Sequence, residues 1–138
     1  MSVEATNAAL SGEAELAPAF ADVPDLDPAQ LEDLAQVLKP DQVLTLAQSY
    51  CAATADLLAT LDRAAADADW AQLRELAHDL KGTSGSFGAC RLQHLAEALE
   101  DCCVEEQGAE ASACVAAMHR ALAGARSAIE TQLAALEA

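Results

Sequence analysis

A histidine and a lysine three residues apart, His78 and Lys81, stand among glycines in the run His78-Asp79-Leu80-Lys81-Gly82-Thr83-Ser84-Gly85-Ser86-Phe87-Gly88-Ala89. At 100° per residue, Leu73, Leu76, Ala77, Leu80, Thr83, Ser84 and Phe87 share one stripe, the core-facing side of a helix. His78 lies nearly opposite. Its outer-face neighbours at i±3, i±4 and i±7 spacing include Ala71, Arg74, Lys81, Gly82 and Gly85. An imidazole left in water is mostly neutral near pH 7, with one ring nitrogen free to act as a nucleophile. Phosphoryl capture suits such a group, because that chemistry asks mainly for positioning and for cations that offset charge on the moving oxygens. Two of only seven basic residues in a chain of formal net charge −16, Arg74 and Lys81, flank this one side chain. Each glycine inside a helix costs roughly 1 kcal/mol against alanine. Gly82 and Gly85 beside the histidine therefore point to close approach by a second protein, over a surface of Ala71, Arg74, Gly82 and Gly85.

The pattern His78-x-x-Lys81-Gly82-x-Ser84-x-x-x-Gly88-Ala89 closely resembles the signature of histidine-containing phosphotransfer (HPt) domains, the shuttles of two-component phosphorelays. The Asp69-Trp70 helix start and the later Leu92, Leu95, Leu99 helix extend the resemblance over about residues 26 to 137. It implies that His78 is the phosphoacceptor, that Lys81 stabilises the phosphoryl group and that Gly82 leaves room for the partner. It also implies the partners: response-regulator receiver domains, hybrid histidine kinases or both. Such a domain takes phosphate from one receiver aspartate and passes it to another, binds no ATP, is not an autokinase and holds no cofactor. Mg²⁺ comes with the receiver.

Glu100 enters by geometry. If the helix bearing His78 ends near Phe87 or Gly88 and the chain turns at Ala89, His78 lies about 15 Å from the turn and Glu100 about 17 Å along the return helix. The two are nearly level. Related domains carry Gln or Glu at the matching place, and the glutamate form is similar to that of chemotaxis kinases. A hydrogen bond to one ring nitrogen would fix the tautomer and leave the other, Nε2, to attack.

At 138 residues, rich in Ala and Leu and with 3% aromatics, four prolines and six glycines, the chain is expected to form one all-α domain. The acidic balance argues against nucleic acid and anionic membranes as partners. The start, Met1-Ser2-Val3-Glu4-Ala5, lacks the cationic and apolar regions of a signal peptide, and no apolar run reaches about 18 residues. A cytoplasmic monomer is expected. The methionine start and full bundle favour a free-standing shuttle, although similar domains also end hybrid kinases. Five cysteines, Cys51, Cys90, Cys102, Cys103 and Cys114, are an odd number without C-x-x-C spacing, which favours reduced thiols acting as small apolar residues.

The elements that must position these groups follow from caps and periodicity. Residues 1–25 read as a flexible or loosely docked arm and 26–138 as the helical domain. Asp27-Pro28 starts a short helix with Leu31, Leu34, Ala35 and Leu38 at helical spacing, stopped by Lys39-Pro40, which should lid one end of a bundle. A second helix from Pro40 or Asp41 carries Val43, Ala47, Tyr50, Cys51, Thr54, Leu57, Leu58 and Leu61 and ends at Ala66-Asp67-Ala68-Asp69. Asp69 with Gln72 resembles a capping box, opening a third helix from Trp70 to Phe87 with Gly88 as its cap. A fourth is expected from Cys90 to Gln107, ended by Gly108, and a fifth from Ala109 to Leu136. Short connections make this an antiparallel up-and-down four-helix bundle with an additional short N-terminal helix.

Other polar residues read blandly. Ser84 and Thr83 fall on the core stripe, where a hydroxyl can bond a carbonyl one turn back. His94 and His119 have no motif around them, and Glu97, Asp101, Glu105 and Glu106 read as a solvated face rather than a metal site. Two other functions fit parts of the sequence: a module that grips receivers or a kinase without being phosphorylated, and a metal or redox sensor built on the cysteines.

Overall fold

The computed structural model describes residues 23–137, so most of the expected arm, residues 1–22, lies outside the described residues. Among the described residues five helices follow one another: α1 (Pro28–Val37), α2 (Pro40–Ala66), α3 (Trp70–Phe87), α4 (Cys90–Val104) and α5 (Gly108–Glu137). Helices α2, α3, α4 and α5 each pack on the next in the chain, and α5 returns to α2, closing a ring around one core. Leu58, Leu61, Leu73, Leu80, Leu92, Leu99 and Met118 fill it, all fully buried. Among the described residues no helix is long and apolar enough to cross a membrane.

Local chemistry explains where the helices begin. The Asp27 carboxylate accepts the Ala29 N–H at 3.0 Å, and Pro28 needs no partner at the first helical position. Gln42 Oε1 accepts the Lys39 N–H at 2.9 Å at the start of α2. At α3, Asp69 Oδ1 accepts the Gln72 N–H at 3.2 Å, so the aspartate half of the expected capping box is present.

Three helices end alike. Bonds from Asp69 N–H to the Ala64 carbonyl (2.9 Å), Ala89 N–H to Ser84 (2.9 Å) and Gln107 N–H to Cys102 (3.1 Å) span five residues, closing α2, α3 and α4 over a residue with positive φ. Those residues are Ala68 (φ 52°), Gly88 (φ 83°) and Glu106 (φ 54°). The third differs from expectation. Glu106 takes the left-handed position, so α4 stops at Val104, three residues before Gln107, and Gly108 opens α5 instead of ending α4.

Helix α1 covers the end of the ring where α3 turns into α4, and buries Leu31 completely. Asp27 N–H donates to the Gly88 carbonyl at 2.7 Å, and Gln132 Nε2 of α5 donates to Pro28 at 3.0 Å. Arg91 donates to the Val23 carbonyl at 2.9 Å and pairs with Asp25 at 3.3 Å, while Asp25 packs over Gly124, where a Cβ would come within 2.7 Å of its carboxylate. Residues 23–25, assigned above to the arm, are thus tied to α4 and α5. Weak periodicity bounds the arm in the sequence, and a carbonyl held by an arginine 68 positions away leaves no periodic trace.

Candidate functional site

The Asp69 cap and the Gly88 turn fix both ends of α3, which sets the rotation of every side chain between them. Leu73, Ala77, Leu80 and Ser84 are buried, and His78 faces outward with 67% of its side chain exposed. Because α4 runs back beside α3 from the tight Gly88-Ala89 turn, Glu100 arrives level with His78, as the rise of two antiparallel helices predicts. Its Oε2 lies 3.4 Å from His78 Nδ1, and its Oε1 lies 2.8 Å from the Lys81 ammonium. One carboxylate, mostly covered, thus joins the imidazole and the lysine of the same helix. Among the described residues the Glu100 Oε1 has no partner other than that ammonium.

The electrostatics follow from this contact. The Lys81 hydrogen bond, against a smaller opposing effect of burial, holds the Glu100 carboxyl below the usual carboxylate range, and His78 adds to the effect. Lys81 moves the other way: the Glu100 bond, with the more distant charges of Glu97 and Asp101, raises its ammonium above the ordinary lysine value. Both shifts favour the ionised pair. With Nδ1 facing a carboxylate, the tautomer carrying its proton on Nδ1 is favoured, which leaves the lone pair on Nε2.

The remaining residues expected at this surface separate. Gly82 is exposed, and a Cβ built on it would meet nothing within 4 Å. Gly85 has a neighbour inside the chain: a Cβ on it would lie 2.8 Å from Nε2 of Gln93 on α4, the far end of a flexible side chain that can swing aside. Ala71 and Arg74 are exposed, and Arg74 makes no ion pair with a described carboxylate, though its charge reaches the Cys103 thiol.

On the other side of His78 the structure has a feature that periodicity alone did not mark. A groove of about 890 Å³ runs between α2 and α3, with Leu46, Ala53 and Leu57 on one wall and Asp79, Gly82 and Ser86 on the other. His78 stands on its rim. Tyr50 and Phe87 stack at its base with centroids 4.8 Å apart, and Tyr50 Oη bonds Ser84 Oγ at 2.8 Å. The buried Ser84 hydroxyl therefore meets a tyrosine of α2 rather than the carbonyl one turn back. Burial raises the Tyr50 phenol pKa, which keeps it neutral. Thr83, placed on the core stripe by spacing, is exposed at the groove, its hydroxyl bonded to the Leu80 carbonyl at 3.3 Å. It stands at the edge of the stripe, and the gap between α2 and α3 leaves that edge uncovered.

Elsewhere, His119 pairs with Asp62 at 3.0 Å, and the exposed His94 places Nδ1 2.8 Å from the Cys90 carbonyl. All five cysteines are unpaired. Burial pushes the Cys114 thiol up to about 12, which suits a packing role. Among the described residues no group of three or more His, Cys, Asp or Glu side chains could hold a metal ion.

Comparison with known proteins gives the same direction. The family model for the Hpt domain matches residues 45–138. Histidine-containing phosphotransfer protein B from Pseudomonas aeruginosa PAO1 has a similar crystal structure, with a TM-score of 0.74 and 27% sequence identity over 80% of this chain and 96% of that one. No curated protein matches.

Proposed function

Because the chain belongs to the Hpt domain family, whose members carry phosphoryl groups on histidine in two-component signalling and meet response regulators or kinases, we propose that it relays phosphate between receiver aspartates through His78. The observation that carries this reading is the exposed His78 ring, with a Glu100 carboxylate oxygen 3.4 Å from one nitrogen, beside a glycine that opens the surface to a visitor. In the forward step the Nε2 lone pair attacks the phosphorus of a receiver's aspartyl phosphate. An N–P bond forms, the aspartate O–P bond breaks, and the receiver carboxylate leaves. The ring becomes cationic, keeping its proton on Nδ1, where Glu100 balances the charge. Lys81, within reach of both Glu100 and the incoming oxygens, offsets charge on the moving group. Mg²⁺ belongs to the receiver, and this chain neither binds ATP nor phosphorylates itself.

The α2–α3 groove is the docking face in this reading, with Gly82 leaving its α3 wall open beside the histidine. We take the ring of α2 to α5 as an antiparallel up-and-down four-helix bundle capped by α1, working as a cytoplasmic monomer. The test is transfer from receivers charged with acetyl phosphate, followed by mass spectrometry under non-acidic conditions. Wild type is expected to gain one acid-labile phosphoryl group, His78→Gln none, and Gly82→Arg to fold normally but accept phosphate far more slowly. Receiver binding without any labelling of His78 would instead identify a binding module.

A further inference from the structure

We infer that Asp79 selects the partner, by requiring that the apolar helix laid along the α2–α3 groove bring a lysine or arginine to meet it; this rests on the groove being the docking face. The residues lining the groove are aliphatic, aromatic, small or neutral polar, and Asp79 is the one acidic or basic residue among them besides His78. It follows the phosphoacceptor directly in sequence and is exposed. Its side chain has no hydrogen-bond or ion-pair partner among the described residues. The site's two bonded neighbours, Lys81 and Glu100, neutralise each other on the α4 side. The groove side therefore presents one uncompensated carboxylate amid apolar walls such as Leu46, Ala53 and Leu57.

A helix with an unbroken apolar face would fill the groove but desolvate that carboxylate without repaying it, and an acidic one would repel it. A cation at the same place turns the penalty into an attraction, which a chain of net charge −16 already extends to basic surfaces at longer range. Asp79 thus discriminates partly by attraction and partly by rejection.

The test uses a panel of receivers charged with acetyl phosphate, and reads both transfer kinetics and equilibrium binding of the uncharged receivers by calorimetry. For the preferred receiver, Asp79→Asn is expected to lower kcat/KM about twofold to fivefold through KM, with kcat unchanged, and to flatten its dependence on salt. Asp79→Lys is expected to lower it about tenfold or more. Exchanging the facing cation of the receiver for glutamate should restore transfer to Asp79→Lys while impairing wild type. Equal kcat/KM, affinity and salt profile for all three proteins would overturn the inference. Binding that depends on Asp79 without any transfer would uphold the charge selection and refute phosphotransfer; transfer indifferent to Asp79 would do the reverse.

Discussion

Glu100 serves two neighbours at once, and that double duty links the protonation of the site to its geometry. Its carboxyl is held low, so the pair's contribution is present above the ordinary carboxylate range and is lost as pH falls through the depressed value. The Lys81 ammonium is held high, so its contribution is present below the ordinary lysine value and is lost as pH rises through the raised one. The ionised contact is therefore complete from about pH 5 to about pH 10. With Lys81 solvated, the contact orders the site more than it stabilises the fold. Lys81→Ala should let the Glu100 carboxyl titrate nearer the usual range and slow transfer about tenfold to a hundredfold. Carbon NMR of the glutamate carboxyl reads the first effect, and an unchanged titration would break the proposed coupling. Nitrogen NMR of the His78 ring should show Nδ1 protonated in wild type and that bias gone in Glu100→Ala. Gly82 gives a complementary case. With open space around its absent Cβ, Gly82→Ala should raise stability by about 1 kcal/mol in urea denaturation, so a glycine there serves access rather than folding.

At the level of the helices, the three matched C-termini separate what a sequence states from what it conceals. Gly88 was legible as a cap because glycine is the common left-handed residue, and α3 ends there. Ala68 and Glu106 adopt the same conformation without that mark. For α2 the Ala66–Asp69 turn was still visible from its acidic run, whereas for α4 the nearest glycine, Gly108, drew the boundary three residues too far. Ala68→Gly and Glu106→Gly should each stabilise the protein by about 0.5–1 kcal/mol, the left-handed cost of a Cβ offset in part by glycine's unfolded-state entropy. Gly88→Ala should cost more than the same strain alone, because the new Cβ would meet the Asp27 carbonyl at 2.8 Å and Gln30 at 2.9 Å. Equal melting temperatures across the three would refute this account. The candidate site divides in the same way. His78, Lys81, Gly82 and Glu100 share one helix face or one antiparallel register, so spacing and rise were enough to group them. The groove wall from α2 depends on how two long helices splay, which no local period records, and so Leu46 and Ala53 were not marked, while Leu57 read only as core.

Across the whole molecule, stability and exchange are assigned to different places. The lid end gathers contacts between residues distant in sequence: Arg91 on Val23 and Asp25, Asp27 on Gly88, Gln132 on Pro28, and Leu31 sealed among them. His78 lies ten residues before Gly88, about 15 Å down the bundle from that end. A defect at the lid should therefore lower the free energy of the fold without reshaping the imidazole, its carboxylate or the open glycine. Leu31→Ala removes a completely buried side chain and is expected to cost about 2–5 kcal/mol, the range for leucine truncated in a core. Urea denaturation reads that loss. At a temperature where both proteins remain folded, phosphoryl transfer per folded molecule should match wild type within about twofold, since a rate depends exponentially on local barrier height and nothing at His78 has moved. A proportional fall in transfer by folded Leu31→Ala would mean that the cap and the α3–α4 register form one mechanical unit, so that the lid helps set the level at which Glu100 meets His78.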